Sequence, residues 1–203
     1  MQLVSIDDVK LDLGIADGDR DALIGRLVTR ASAEVAQVVG YPIPRATREH
    51  VEAVRHPSRR LLVPFLPLHD VRAVTVDGVT WFDLDAAEPS QPAAGFSFTE
   101  WGQIEAPDGC HFRGRVEVRL VSGYRLADTG TPGEERDLPV AFEAAVAEIV
   151  RQRLNSVGRD DNVRAESVPG VYSVTFGSDT PSAVGVPPSV WQMLAPYRLV
   201  RAA

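Results

Sequence analysis

Gly40-Tyr41-Pro42-Ile43-Pro44 is where the chain changes its periodicity. Each proline biases the residue before it away from the α region, so a helix arriving from the N-terminal side must stop here. Upstream, two helices are legible. Ser5 followed by Asp8 reads as a capping box, with the acid at the positive helix end. Ile6, Val9 and Leu13 then recur at helical spacing until Gly14. A second start signal stands at Asp17-Gly18-Asp19. Leu23, Leu27, Ala31, Val35 and Val38 form the following stripe, with Ile24 and Val28 beside it, until Gly40. Ala31, Ala33 and Ala36 suit the close approach of a neighbouring helix.

Downstream, to about Tyr124, the period is two. Expected strands are His50–Val54, Arg60–Val63, Val71–Val76, Val79–Leu84, Gly95–Phe98, Gln103–Ala106 and Arg115–Val121. Asp77-Gly78 is the strongest hairpin signal, because both residues accept positive φ. In Arg115-Val116-Glu117-Val118-Arg119-Leu120-Val121 the valines and leucine are expected inward and the charges outward. Prolines 57, 64, 67, 89, 92 and 107 keep the strands short. An antiparallel sheet or small sandwich follows.

Thr129-Gly130-Thr131-Pro132-Gly133-Glu134-Glu135-Arg136 reads as a linker. Asp137 is expected to cap a third helix, with Pro139 in its first turn where a missing N–H costs nothing. Phe142, Val146, Ile149, Val150 and Leu154 supply its buried stripe. Beyond Gly158 helical period is lost. Tyr172, Val174 and Phe176 alternate as one strand, and a last helix carrying Val190, Trp191 and Leu194 is closed by Pro196-Tyr197-Arg198. Long segments sparse in core residues wrap a partner or stay mobile, and partner-wrapping is the reading favoured here. The expected class is α+β: a helical bundle unit (1–42 and 137–158), an inserted antiparallel β domain (43–125), a linker (126–136) and an extended C-terminal arm (159–203).

Composition narrows the function classes. The chain has 203 residues, 44% apolar and 24% charged, with net charge −7. That is enough length for one large or two small domains. There is no run of eighteen apolar residues to span a membrane, and the N-terminus lacks the basic and apolar regions of a signal peptide. One cysteine, Cys110, excludes an internal disulfide and multi-cysteine metal sites. A reduced, soluble, cytosolic protein is expected. Residues 1–40 carry seven acids against four bases. The one local basic cluster is Arg55-His56-Pro57-Ser58-Arg59-Arg60, near Arg45 and Arg48, and it reads as a solvated strand and loop. Duplex binding would need a larger basic face.

No catalytic pattern stands out. GxxxxGK[ST], GxGxxG and GxSxG are absent. His50, His56, His69 and His111 never fall at HxxxH or HExxH spacing, and a zinc site from His56, His69 and Asp70 has no supporting pattern. Cys110-His111 as thiol and base is opposed by strand geometry, since adjacent residues face opposite ways. Paired acids (Asp7/Asp8, Asp83/Asp85, Glu134/Glu135, Asp160/Asp161) fall at caps and loops. No enzyme, metal or cofactor is expected. Trp81, Phe82, Phe96, Phe98 and Trp101 are candidates for a sugar-stacking platform or for ordinary sheet core.

Five phrases carry a resemblance. They are Leu3-Val4-Ser5-Ile6-Asp7-Asp8-Val9-Lys10-Leu11-Asp12-Leu13-Gly14; Asp21-Ala22-Leu23-Ile24-Gly25-Arg26-Leu27-Val28 leading to Ala31-Ser32-Ala33-Glu34-Val35; and Leu138-Pro139-Val140-Ala141-Phe142-Glu143-Ala144-Ala145-Val146. The others are Arg164 to Phe176, and Leu194-Ala195-Pro196-Tyr197-Arg198. In this order they resemble phage head–tail connector (head-to-tail adaptor) proteins, as in long-tailed phages and gene transfer agents. The resemblance implies a structural virion protein of the neck, made in the host cytoplasm. It implies a homo-oligomeric ring, commonly of twelve copies, below the portal and above the stopper or tail. DNA would pass through its channel without specific binding, and no membrane is involved. Many members are smaller and essentially helical; this chain departs from them by some eighty residues of β pattern. The C-terminal arm is the expected partner interface, through Tyr172, Val174, Phe176, Trp191, Leu194, Tyr197 and Arg198. Two alternatives stay open: another neck protein such as a stopper, and a carbohydrate-binding module using Trp81 and Trp101. A hydrolase using Cys110 and His111 comes last.

Overall fold

Ser5 Oγ accepts the backbone N–H of Asp8 at 3.0 Å and opens α1 (Ile6–Leu13), which ends on Gly14 at φ 66°. That left-handed cap is a conformation glycine adopts without the Cβ penalty. The structure, a computed structural model, describes residues 1–16, 18–126, 136–156, 165–168, 172–175 and 186–199. The fold is mixed, helices with antiparallel sheet, and the chain divides into two compact units: Met1–Gly40 with Leu138–Ala203, and Tyr41–Asp137.

In the first unit α2 (Asp21–Val39) begins later than Asp17-Gly18-Asp19 suggests; Asp17 itself lies outside the described residues. The helix buries Ile24, Leu27, Val28, Ala31, Ser32, Val35, Val38 and Val39. Ala33, expected at a close helix contact, is exposed. The tight approach lies about two helix turns nearer the start, where a Cβ on Gly25 would stand 3.1 Å from Ile6 Cδ1. α3 (Val140–Ser156) packs on α2 through Phe142, Ala145, Val146, Ile149 and Val150. Of these, the larger side chains, Phe142, Val146, Ile149 and Val150, each contribute about 1.5–3 kcal/mol on removal from water. Glu34 and Arg153 join α2 to α3 at 2.5 Å.

The second unit holds β1 (Ala46–Ser58), β2 (Arg60–Leu62), β3 (Leu68–Val76), β4 (Val79–Asp83), β5 (Ser97–Phe98), β6 (Gln103–Glu105) and β7 (Phe112–Ser122). They form two antiparallel sheets, ordered β1-β7-β3-β4 and β2-β6-β5. One buried cluster draws Leu61 and Ile104 from the second sheet and Val71, Val74, Phe82, Phe112, Val116, Val118 and Leu120 from the first. β1 is longer than expected because it follows β7 from Ala46↔Ser122 to Ser58↔Phe112, with a register shift after Val54 that takes in Pro57. A missing N–H is tolerated at such an irregularity. Val116, Val118 and Leu120 point inward as expected. Val121 does not: it shares the outer face with Glu117 and Arg119, while Ser122 takes the inward position. Asp77 (φ 48°) and Gly78 (φ 80°) make the expected turn between β3 and β4.

The two ends of this unit are stitched side by side. Tyr124 N–H donates to Ile43 O and Arg45 N–H to Tyr124 O, both at 2.7 Å. Gly123 sits at φ 95° with Ile43 O and Pro44 O only 2.6 Å from where a Cβ would be. Asp137 belongs to this stitching. α3 starts at Val140, so Asp137 stands two residues before the capping position; its carboxylate accepts the N–H of Arg125 and lies 3.8 Å from Arg45.

Candidate interface

The partner surface expected from the C-terminal arm is distributed by the fold rather than presented whole. α4 (Pro188–Leu194) and the 3₁₀ turn Ala195–Tyr197 belong to the helical unit. Val186, Val190 and Leu194 are all fully buried there. Their i, i+4, i+8 spacing is the sequence signal for this burial, and Val186 is the residue that sequence reasoning overlooks. Tyr197 sets its ring edge-on to Phe142, centroids 5.0 Å apart. Leu199 N–H donates to Val39 O at 2.9 Å. Leu194 and most of Tyr197 therefore spend their apolar surface inside the unit, because Val186 and the two buried residues of this short helix together have a core to enter. Trp191 is half-buried and Arg198 exposed, with the guanidinium 4.4 Å from the indole centroid. Tyr172 and Val174 lie on a strand, β9 (Tyr172–Thr175), paired antiparallel with β8 (Ala165–Val168). Phe176 lies outside the described residues.

The aromatic residues of the sheet unit do not assemble into one platform. Trp81 stacks on Phe112 at 5.3 Å, and Phe82 meets Phe96 edge-on at 4.8 Å. Trp101 stands 67% exposed in the turn before β6. Trp81, Phe82, Ala93, Phe96, Pro107 and Cys110 line an open apolar pocket of about 200 Å³. Cys110 and His111 are both exposed, at a turn closed by Cys110 N–H donating to Pro107 O. His69 bonds through Nε2 to Gly123 O at 2.8 Å and Asp70 pairs with Arg72, so each of these two has a structural partner. Among the described residues no cluster of His, Cys, Asp or Glu could hold a metal ion, and no helix is long and apolar enough to cross a membrane.

The outer face of the four-stranded sheet is ionic. Arg72 bonds Asp85 and lies 3.2 Å from Asp70; Arg119 reaches Asp83 at 2.6 Å and Asp85 at 3.2 Å. The Arg72 hydrogen bond holds the Asp85 carboxyl below its ordinary range, and the same bond raises Arg72. Arg48 is different: partial burial lowers its pKa, while it donates to Pro44 O at 2.6 Å and Ser122 Oγ at 3.2 Å.

No family model matches this sequence, and no curated protein matches it. Solved structures do. One chain from the neck of an empty gene transfer agent (GTA) particle computed with C6 symmetry has 19% identity and TM-score 0.55, with 99% of this chain and 92% of that chain covered. A chain in the virion of a native GTA particle gives the same figures of 19%, 0.55, 99% and 92%. A chain from the neck of a native GTA particle computed with C12 symmetry has 19% identity and TM-score 0.50, covering 100% of this chain and 96% of that chain. At this identity the likeness establishes a shared fold running the length of both chains.

Proposed function

We propose that this chain is a structural neck protein of a phage-like particle. In the finer reading it is a head-to-tail adaptor whose ring sits between portal and stopper or tail and extends the DNA channel. The observation that carries the reading is the end-to-end likeness to chains from GTA necks, 99% of this chain against 92% of theirs. A fold shared by one domain alone would leave much of one chain uncovered. The C6 and C12 symmetries of those particles favour a cyclic ring, and twelve copies is the proposed number.

Two features of the chain support the adaptor in particular. The helical unit is made from both ends of the chain and the sheet unit from its middle, a division that suits the proposed helical adaptor core with an inserted antiparallel β domain. Net charge −7 suits a wall along which DNA slides, since an acidic surface repels phosphate and a basic one would hold it. The reading assigns the chain no catalysis and no cofactor. Its portal-facing surface is proposed around Trp191 and Arg198, the expected anchors that keep exposed area.

The test is to mix the purified chain with the portal ring of its own particle and measure mass by light scattering. A multi-copy cyclic complex is expected, and Trp191→Glu should weaken it while leaving the fold intact. Deleting 159–203 is a poor substitute, because it removes Val190 and Leu194 from the core. No binding to an intact portal ring would overturn the adaptor role in favour of a stopper or another neck position.

A further inference from the structure

Two surfaces of this chain complement one another. The first is the basic cluster at Arg55-His56-Pro57-Ser58-Arg59-Arg60. The fold lays it beside residues 107–113: Ser58 pairs with Phe112, Ala106 N–H donates to Arg59 O at 2.8 Å, and Arg59 meets Asp108 at 2.8 Å. Together the two stretches hold four arginines and two histidines against one aspartate. Arg55, His56, Arg59, Arg60, His111 and Arg113 are all exposed. This basic rim adjoins the open apolar pocket of about 200 Å³, to which Pro107 and Cys110 contribute wall.

The second surface is the outward face of α1. Asp7, Asp8, Leu11 and Asp12 lie at i, i+1, i+4 and i+5, so they share one side of the helix. All four are exposed, Leu11 at 81%, the highest value among the large apolar residues described. The one base of this helix, Lys10, is turned away and paired with Asp21 at 2.7 Å. Leu11 is thus an apolar knob in an acidic collar, and the pocket is an apolar hole with a basic rim. A leucine side chain is small enough for that hole.

We infer that the pocket lined by Trp81, Phe96 and Cys110 receives the Leu11 face of α1 from a second copy of this chain. Knob and hole are made of different residues, so a head-to-tail contact between copies is heterologous, the kind that builds a ring when the rotation between copies closes. The inference rests on the ring reading proposed above and specifies one of its interfaces. The charged collar and rim set register and speed encounter, which makes assembly salt-sensitive.

Cys110, the one cysteine, supplies the test. A Leu11→Cys/Cys110→Ala chain is mixed with the unaltered chain on the portal ring, then oxidised with copper–phenanthroline. Distinct mass tags on the two chains separate mixed from like disulfides. A predominance of mixed disulfide, lost when Asp7 and Asp12 are both changed to Arg and regained when Arg55 and Arg113 are also changed to Glu, is the expected result. Ring assembly without mixed disulfide would overturn this interface and leave the adaptor reading standing. Failure to assemble, on an intact portal, would overturn both.

Discussion

The sheet unit is continuous in sequence, from Tyr41 to Asp137, whereas the helical unit is built from residues 1–40 and residues beyond 138. Both bury apolar clusters, but they close them differently. β1 and β7 are far apart in the unit's sequence yet begin and end at the same stitched base, Ile43–Arg45 against Gly123–Arg125. In the helical unit, α2 has no comparable partner until α3 arrives a hundred residues later. The difference teaches that one unit carries its closure within itself and the other depends on distant chain. Loop closure over such a span is an entropic cost that only the packed helices repay.

The largest effect should come from cutting the chain at that division. Residues 41–137 alone are expected to unfold cooperatively and show dispersed amide resonances. Residues 1–40 alone should show neither a stable helix nor protected amides, since α1 is too short to persist alone and α2 draws its stability from packing its apolar face against distant chain. A stably helical 1–40 peptide would break the contrast.

Next, Phe142→Ala removes a fully buried ring that also supports Tyr197. The expected cost is about 3–5 kcal/mol. Hydrogen exchange should rise in α2, α3 and 186–199, with the sheet peptides as internal reference. Retained protection in 186–199 would show that the terminal segment does not depend on Phe142.

Gly123→Ala tests the stitched base. The left-handed backbone costs about 1–2 kcal/mol for a non-glycine residue, and crowding against two carbonyl oxygens adds about 1–3 kcal/mol. Denaturant unfolding followed by tryptophan fluorescence should show a midpoint lowered by that order. An unchanged midpoint would mean that the stitched base does not contribute to stability.

The smallest effect is electrostatic. The Asp85 carboxyl titrates below its ordinary range, so its stabilising pairing is complete above the unfolded aspartate value of about 3.9 and is lost as pH falls through the folded value. Asp85→Asn should therefore lower the melting temperature slightly at pH 7 and less at pH 3. The same gap at both values would mean that the Arg72 pair does not contribute through charge.

Much of this fold was readable from local pattern. All seven expected strands exist, Asp77-Gly78 turns where both residues tolerate positive φ, and Ser5 caps α1. What escaped reading is non-local. The order β1-β7-β3-β4 depends on long-range pairing that periodicity does not encode. Gly123 and Gly25 look like any glycine until carbonyls or Ile6 are brought against them. The terminal helix reads as a free arm because its valines are few, yet Val186, Val190 and Leu194 suffice to enter a core already made by α2 and α3. Of the candidate interface, the basic cluster was visible, but its apolar pocket was not: Trp81, Phe96 and Cys110 meet only through the fold.

The paired crossing at Ile43–Arg45 and Gly123–Arg125 also bears on how such a chain changes over generations. A module whose two ends pass through one doorway can be gained, lost or exchanged by a single genetic event. Lineages sharing the helical frame are then free to carry quite different passengers between its second and third helices.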